Sequence, residues 1–408
     1  AEAGVSPRTV AALAAQGISE PVEVQAEAIP ALLAGRDVVI EAPTGSGKTL
    51  AFLVPMVERL PRGGAGPRAL IVTPTRELAL QVEKVLRLLS TGLRSTVLYG
   101  GVGYATQRLA LRRGVDVVVG TPGRILDMVG QGLLSLSRIE YLVLDEADEM
   151  LDAGFAPSVE RILGLTYDPQ TALASATMPS WVERMVEKHT NDPVEIRVVS
   201  EHMDLLEHGM LRVDSESKLQ TLSKLLRRHG GTAIVFGRTK HGVKKLNKNL
   251  RQMGHNSIEL QGDLSQSVRD RAMASFREGR TQILVATNVA ARGIDVDSVG
   301  LVVNFELPDS AQWLTHRVGR TARMGETGRA LTFVTPEDEP AWVKLSRQGA
   351  PDIREIDTRQ LIDEGTWLYR ESRPMQSHSA PTSRARGRGV SRRRGTSSWR
   401  PGGPRRTS

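Results

Sequence analysis

Eight short runs of β-branched and aliphatic residues punctuate this chain, and each ends in glycine, hydroxyl or acidic side chains. In the first half they are "DVVIEAPTGSGKT" (37–49), "ALIVTPTRE" (69–77), "VDVVVGTPGR" (115–124), "YLVLDEAD" (141–148) and "TALASAT" (171–177). The second half repeats the rhythm with "TAIVFGRT" (232–239), "QILVATNVAARGID" (282–295) and "GLVVNFELP" (300–308). Helical patterns lie between them, such as Glu77–Leu89 with Leu78, Val82, Val85, Leu86 and Leu89 on one face. Strands alternating with helices predict an α/β fold with parallel, doubly wound sheets, and the repeated rhythm predicts two such units. In open sheets of this kind ligands bind at the carboxyl ends of the strands. One polar turn after a strand is ordinary; eight in succession predict two functional rims that face each other across a cleft.

A chain of 408 residues is long enough for two domains, and 40% hydrophobic content supplies their cores. We place the first domain at 1–198, a linker at 199–209 ("VSEHMDLLEHG"), the second domain at 210–350 and a short extension at 351–371. Residues 372–408 hold ten arginines and no Lys, Asp or Glu, so the net charge of +8 becomes −2 for residues 1–371. The basicity belongs to a tail of Arg, Gly, Ser and Pro that cannot bury a core, which predicts disorder and attachment to nucleic-acid backbones. Cysteine is absent, which excludes disulfides, thiolate metal sites and cysteine nucleophiles. No window approaches the roughly 18 consecutive apolar residues of a membrane span, and residues 1–17 do not read as a signal peptide. These signals together predict a soluble, cytoplasmic protein.

"APTGSGKT", Ala42–Thr49, reads as a P-loop between a strand and a helix. Thr44, Gly45, Ser46 and Gly47 form the turn whose backbone N–H groups surround phosphate oxygens, and the following helix adds its dipole. Lys48 is expected to reach the β- and γ-phosphates of ATP, and the Thr49 hydroxyl to bind Mg2+. A P-loop needs an acidic partner for the metal on a neighbouring strand, and Asp145 at the tip of "YLVL" fits. Glu146 follows, placed to orient or deprotonate the attacking water. Asp148 and Glu149 read from spacing alone as acids opening a helix.

These words occur together with "PTRELA" (74–79), "TPGR" (121–124), "SAT" (175–177), "ARGID" (291–295) and "HRVGRTAR" (316–323). The ordered set resembles the DEAD-box RNA helicases and covers residues from about 17 to 340. The resemblance implies two tandem RecA-like domains that close on ATP and single-stranded RNA together. It implies sequence-independent contacts to the RNA backbone from Pro74, Thr75, Arg76, Gly101, Thr121, Gly123 and Arg124 in the first lobe. Gly237, Arg238, Thr239, Gly262, Asp263 and Thr287 would supply the second lobe's share. Arg320 and Arg323 would be arginine fingers, with His316 and Arg317 pairing with the "DEAD" and "SAT" elements. Ser175 and Thr177, with Asp148 as partner, would relay between the ATP and RNA surfaces, and Asp295 would bind the ribose.

The expected adenine reader departs from the family pattern. "GISEPVEVQ" (17–25) keeps Pro21 and Gln25, but Ile18 stands for an aromatic and Val22 for a threonine, and no aromatic lies upstream. Gln25 can still bond adenine in a bidentate fashion, so ATP preference should survive with a weak grip. Gln261 stands where the family often has histidine, and Asn288 where aspartate is common. The activity implied is ATP-dependent, local opening of short RNA duplexes. The rivals are a P-loop ATPase on DNA and an RNA clamp or annealing chaperone with little turnover.

Overall fold

The computed structural model describes residues 4–43, 45–60, 63, 66–89, 92–198, 206–288, 290, 299–322, 327–351, 353–364 and 367. The chain begins with α1 (Pro7–Ala14), α2 (Glu23–Leu33), β1 (Val38–Glu41), α3 (Lys48–Arg59), β2 (Ala69–Val72), α4 (Arg76–Leu88) and β3 (Ser95–Leu98). It continues through α5 (Ala105–Arg113), β4 (Val117–Gly120), α6 (Pro122–Gly130), β5 (Tyr141–Asp145), α7 (Ala147–Asp152) and α8 (Ala156–Leu163). β6 (Gln170–Ser175), α9 (Ser180–His189) and β7 (Val194–Arg197) close the first half.

The second half opens with β8 (Leu206–Arg212), α10 (Lys218–His229), β9 (Ala233–Gly237), α11 (Lys240–Gln252), β10 (Ser257–Leu260) and α12 (Gln266–Arg277). β11 (Ile283–Thr287), β12 (Leu301–Asn304), α13 (Ala311–Val318), β13 (Gly328–Val334), α14 (Glu339–Arg347) and β14 (Arg354–Glu355) follow.

The strands form two seven-stranded sheets, ordered β3-β4-β2-β5-β6-β1-β7 and β10-β11-β9-β12-β13-β8-β14, with every pairing parallel. Counted from its own first strand, the second order repeats the first. Two RecA-like lobes with one topology follow, as the repeated rhythm predicts. Parallel sheets are covered on both faces, and alternate strand residues feed two cores. Ala69 and Ile71 point into one, with α3 and α4, while Leu70 and Val72 point into the other, with α6 and α8. In the second lobe, Val235 and Val285 pack under α10 and α11, and Ile234 and Leu284 under α12 and α13.

Two boundaries differ from the sequence reading. The segment 199–209 was expected to be linker, but residues 199–205 lie outside the described residues and Leu206 already begins β8. Glu207 and His208 mask the strand pattern. Pairing with β13 overrides it, and His208 Nε2 lies 3.0 Å from the Thr332 hydroxyl. The extension 351–371 is also structural through residue 364, because β14 adds an edge strand to β8 and Ile356 is fully buried beside Gly209. A Cβ on Gly209 would overlap the Ile356 side chain, so glycine there makes room for it. The arginine-rich tail lies outside the described residues, and no helix among the described residues is long and apolar enough to cross a membrane.

Ile356→Ala should therefore destabilise the second lobe by about 2–5 kcal/mol, the cost of a large-to-small change in a close-packed core. Thermal or urea unfolding checks it, and a surface residue in a mere extension would leave the midpoint unmoved.

Candidate functional site

Strand β1 ends beside β6, and the loop that follows is held there by the Ala42 amide donating to Ser175 O at 3.0 Å. Gly45 and Gly47 take φ of 87° and 94°, in the left-handed region where a side chain is strained. At Gly47 space forbids one as well, since a Cβ would come 2.7 Å from Gln25 Nε2 and 2.8 Å from Val22 Cγ2. Gln25 locks the contact: its Nε2 donates to Gly47 O at 3.1 Å, and its Oε1 accepts from the Val22 amide at 3.2 Å. The putting together of α2 and the loop is thus a property of the fold itself. Lys48 opens α3 with its ammonium folded onto the carbonyls of Ala42 and Pro43, and the buried Ser46 hydroxyl has no hydrogen-bond partner among the described residues. Thr44 lies outside the described residues.

Beside this loop, β5 delivers its acids. Asp145, Glu146, Asp148 and Glu149 are all buried, and Glu146 turns the chain at φ 54° into α7. Burial, then Glu146, pushes the Asp145 carboxyl up to about 7. Burial, then Glu149, pushes Glu146 up to about 8. Burial also lowers the Lys48 ammonium against the pull of the acids. Asp148 differs: burial opposes its charge, yet His316, Thr177 and Ser175 hold its carboxyl down at about 2. The Thr177 amide and hydroxyl both donate to Asp148 Oδ2, at 2.9 and 2.7 Å, and the Asp148 amide donates to Ser175 Oγ.

The residues present fit a nucleotide phosphate chain with a hard cation. The Ser46 hydroxyl, the two glycine turns, the α3 N-terminus and Lys48 are anion donors, and Asp145 and Glu146 add buried carboxyl groups. One strand-end carboxylate and one threonine hydroxyl suit Mg2+, which keeps several waters and takes substrate phosphates.

The second lobe meets this cluster directly. The His316 ring lies 3.5 Å from Asp148 and 3.9 Å from Glu149, and Arg320 Nη2 lies 3.4 Å from Glu149 Oε1. Gln312, one turn before His316 on α13, donates to the Thr177 hydroxyl at 2.8 Å. Arg317 does not join them, contrary to the pairing implied by the resemblance. It faces the other way and is fully buried in its own lobe, bonding Asn288 Oδ1 (2.6 Å), Asn304 Oδ1 (3.1 Å) and Glu306 O (2.7 Å). On one turn of helix, residues 316 and 317 point about 100° apart, so both cannot serve one seam. With amides in place of a touching carboxylate, burial lowers the Arg317 guanidinium to about 9. Arg323 and Asp295 lie outside the described residues.

A second cross-lobe contact joins α4 to α12. Arg76 pairs with Asp270 at 3.3 Å, and Glu77 with Arg269 at 3.1 Å, while Arg76 stacks 4.4 Å over Tyr99 and keeps buried Nε and Nη1 atoms without hydrogen-bond partners among the described residues. Neither these pairs nor Gln312 was singled out from sequence, and Glu149 was read there only as an acid opening a helix, not as a partner for Arg320. Gln312 left a trace there, its i, i+4 spacing from His316.

The other candidates for backbone recognition cluster at strand ends. Pro74 and Thr75 follow β2, where the Thr75 hydroxyl caps α4 through the Leu78 amide. Thr239 caps α11 in the same way after β9, through the Gly242 amide, and the Arg238 amide donates to Glu306. Thr121 and Thr287 end β4 and β11, the equivalent strands of the two sheets. Gly101 and Gly123 are exposed with open space around them, and Gly237 abuts Val243. Arg124 is buried, its guanidinium held by Gln107 and Val102 O and stacked 4.2 Å from Tyr104, so it braces the loop that carries Gly101. Beside exposed Gly262, Asp263 is paired with Lys240 at 2.5 Å. A cavity of about 530 Å3 beside Gln25 is walled by Val10, Leu13, Ile18, Pro21 and Leu50, with no aromatic ring.

Comparison with known proteins matches residues 22–185 to the DEAD/DEAH box helicase model and 217–325 to the helicase conserved C-terminal domain. The chain is 42% identical to the DEAD-box ATP-dependent RNA helicase CshA of Geobacillus kaustophilus over 83% of its own length and 73% of that protein. It is 40% identical to DEAD-box ATP-dependent RNA helicase 53 of Oryza sativa over 95% of its length, and spans 66% of that relative. Among solved structures, S. cerevisiae Dbp5 bound to RNA and ADP BeF3 superposes with a TM-score of 0.79 at 30% identity, covering 89% of this chain and 96% of that one.

The raised Glu146 carboxyl makes a prediction for the nucleotide-free protein. Between about 4.5 and about 8 the folded state binds more protons than the unfolded one, so this group makes stability fall as pH rises. Glu146→Gln should raise the melting temperature, with a gain that grows across that window and levels off above it. A gain independent of pH would mean that the carboxyl is not perturbed in the folded state.

Proposed function

For a chain that belongs to the DEAD-box family of ATP-dependent RNA helicases, we propose RNA-stimulated ATP hydrolysis coupled to closure of the two lobes on single-stranded RNA, with local opening of short duplexes. The observation that carries this is the seam in which His316 and Arg320 of the second lobe meet Asp148 and Glu149 of the first. An arginine supplied from the opposite lobe completes the site only when the lobes are closed.

Lys48 and the amides of the Gly45–Gly47 turn hold the β- and γ-phosphates. Thr49 and Asp145 would hold Mg2+, which when bound would supply positive charge to the phosphates. Against that charge Asp145 and Glu146 would act as carboxylates, and Glu146 would orient the attacking water. Arg320, joined by Arg323, stabilises the charge that develops on the transferred phosphoryl. Gln25 reads adenine while holding the loop, and Asp295 holds the ribose.

The strand-end hydroxyls, amides and glycines of both lobes take RNA phosphates and sugars without reading sequence. Arg76 supports this reading through its two buried donors without hydrogen-bond partners among the described residues. Arg124 contributes by bracing its loop. Thr177, with Ser175, is the relay between the two surfaces in this reading, and it also joins the lobes by touching Asp148 of the first and Gln312 of the second.

Steady-state hydrolysis should be stimulated strongly by single-stranded RNA, little by the same length of DNA, and abolished by Glu146→Gln. ATP should be preferred over GTP but with a high KM, because Ile18, standing for an aromatic, offers no ring to stack on the base. Equal use of GTP would remove Gln25 as the base reader, and DNA stimulation equal to RNA would favour a DNA-directed ATPase. Residues 372–408 add RNA affinity through their arginines, so deleting them should lower the salt dependence of binding by about 0.7 per lost phosphate contact on the log–log plot. An unchanged slope would remove the tail from the RNA-binding surface.

A further inference from the structure

Between Ser217 and Ile258 the chain holds ten lysines and arginines and no aspartate or glutamate, although residues 1–371 as a whole are slightly acidic. The fold gathers this stretch on one side. α10 and α11 pack next to each other on the same face of the second sheet through Leu222, Leu226, Leu246 and Leu250. Arg227 Nη2 ties them by donating to Met253 O at 2.7 Å.

The cations divide by position. Lys218 and Lys240, at the helix starts, have carboxylate partners in Asp338 and Asp263. Lys224, Lys244, Lys245, Lys248 and Arg251 are exposed and have no ion pair among the described residues. Lys244, Lys248 and Arg251 recur at i, i+4 and i+7, so they form one row along α11 with a rise of roughly 6 Å between the first two. A run of like charges without partners raises the potential of that face and destabilises it, unless something anionic covers it.

We propose that this face of the second lobe binds the phosphate backbone of structured RNA, a duplex arm continuous with the strand held in the cleft. It rests on the RNA-helicase reading, and two observations choose the occupant. The row starts little more than one turn beyond Thr239, which caps α11 at the strand end assigned to RNA backbone contact. An RNA leaving the cleft past Thr239 and the paired Lys240 therefore reaches Lys244 as the first cation without a carboxylate partner among the described residues. The surface is also lysine-rich and has no exposed large apolar residue on either helix, which suits a polyanion and gives a protein partner no anchor. The chain's own arginine-rich end is of the same sign and is not a candidate.

The test compares the full chain with a Lys244→Gln/Lys248→Gln/Arg251→Gln variant. Each is bound, with a non-hydrolysable ATP analogue, to a short oligouridylate and to the same strand carrying a hairpin at its 5′ or 3′ end. Expected is a fall of about 2–3 in the log–log salt slope on one hairpin RNA, from a loss of about 0.9 per duplex phosphate contact. The slope on the oligouridylate and its stimulated hydrolysis should not change, and Lys244→Arg/Lys248→Arg should keep the full slope. An unchanged slope on both hairpins would overturn the proposal while leaving the helicase reading intact. So would polyglutamate binding as tightly as hairpin RNA with the same loss in the variant, which would make the face a docking site for acidic protein. Failure of the unmutated chain to bind either RNA would instead overturn the helicase reading itself.

Discussion

Four buried carboxylates within five residues, Asp145 to Glu149, set the constraint around which this molecule is arranged. Acids this close cannot all be ionised in a dry environment without cations or donors to meet them. Each is answered differently. Asp145 and Glu146 face Lys48 and are pushed towards neutrality. Asp148 is held ionised by Thr177 and His316, and Glu149 meets Arg320. The cluster is thus met from the nucleotide loop by Lys48, from its own lobe by Thr177 and from the other lobe by His316 and Arg320, and the cost of burying the acids becomes a reason for the lobes to come together.

The two lobes share one topology but spend their strand ends differently. In the first, β1 and β5 carry the phosphate and acidic elements, whereas β2 and β4 end in Pro74–Thr75 and Thr121. In the second, β9 and β11 repeat the threonine ends, α13 and the turn after it supply the side chains that reach the acidic cluster, and α12 supplies those that reach α4. The threonine caps at 75 and 239 do two jobs: each begins a helix and places a hydroxyl and free amides at the cleft rim. The second lobe also buries a polar line, from Arg317 through Asn304 to Thr332 and His208. That line anchors the helix carrying His316, with Arg320 in the turn just past its end, and explains why Arg317 is not free for the seam. Asn288 weakens the anchor electrostatically, since an amide oxygen stands where Arg317 could use a carboxylate.

Much of the site was legible because its chemistry is local. A glycine-rich turn between a strand and a helix has few uses, and an acidic tip on a neighbouring apolar strand completes it. The fold class followed from a rhythm of strands and helices that a single segment would not have revealed. The missed strands were the four sheet edges, β3, β7, β10 and β14, and the inner pair β8 and β13. β7 and β14 are edges with mixed exposure, and β8 hides behind Glu207 and His208, which find partners only across the sheet.

The sequence by itself determined the two parallel sheets, the phosphate loop, the acidic strand end and the concentration of positive charge in the tail. Those depend on residue type and spacing along the chain. Only the tertiary structure decided that His316 and Arg317 part company, that Arg124 is a brace, that Glu149 is a partner for Arg320, and that residues 354–356 belong to the second sheet. It also decided that the unpaired lysines of α10 and α11 share one face. These are questions of which side chain meets which across long sequence separations. Burial, helix phase and the sheet order answer them, and no local pattern encodes that.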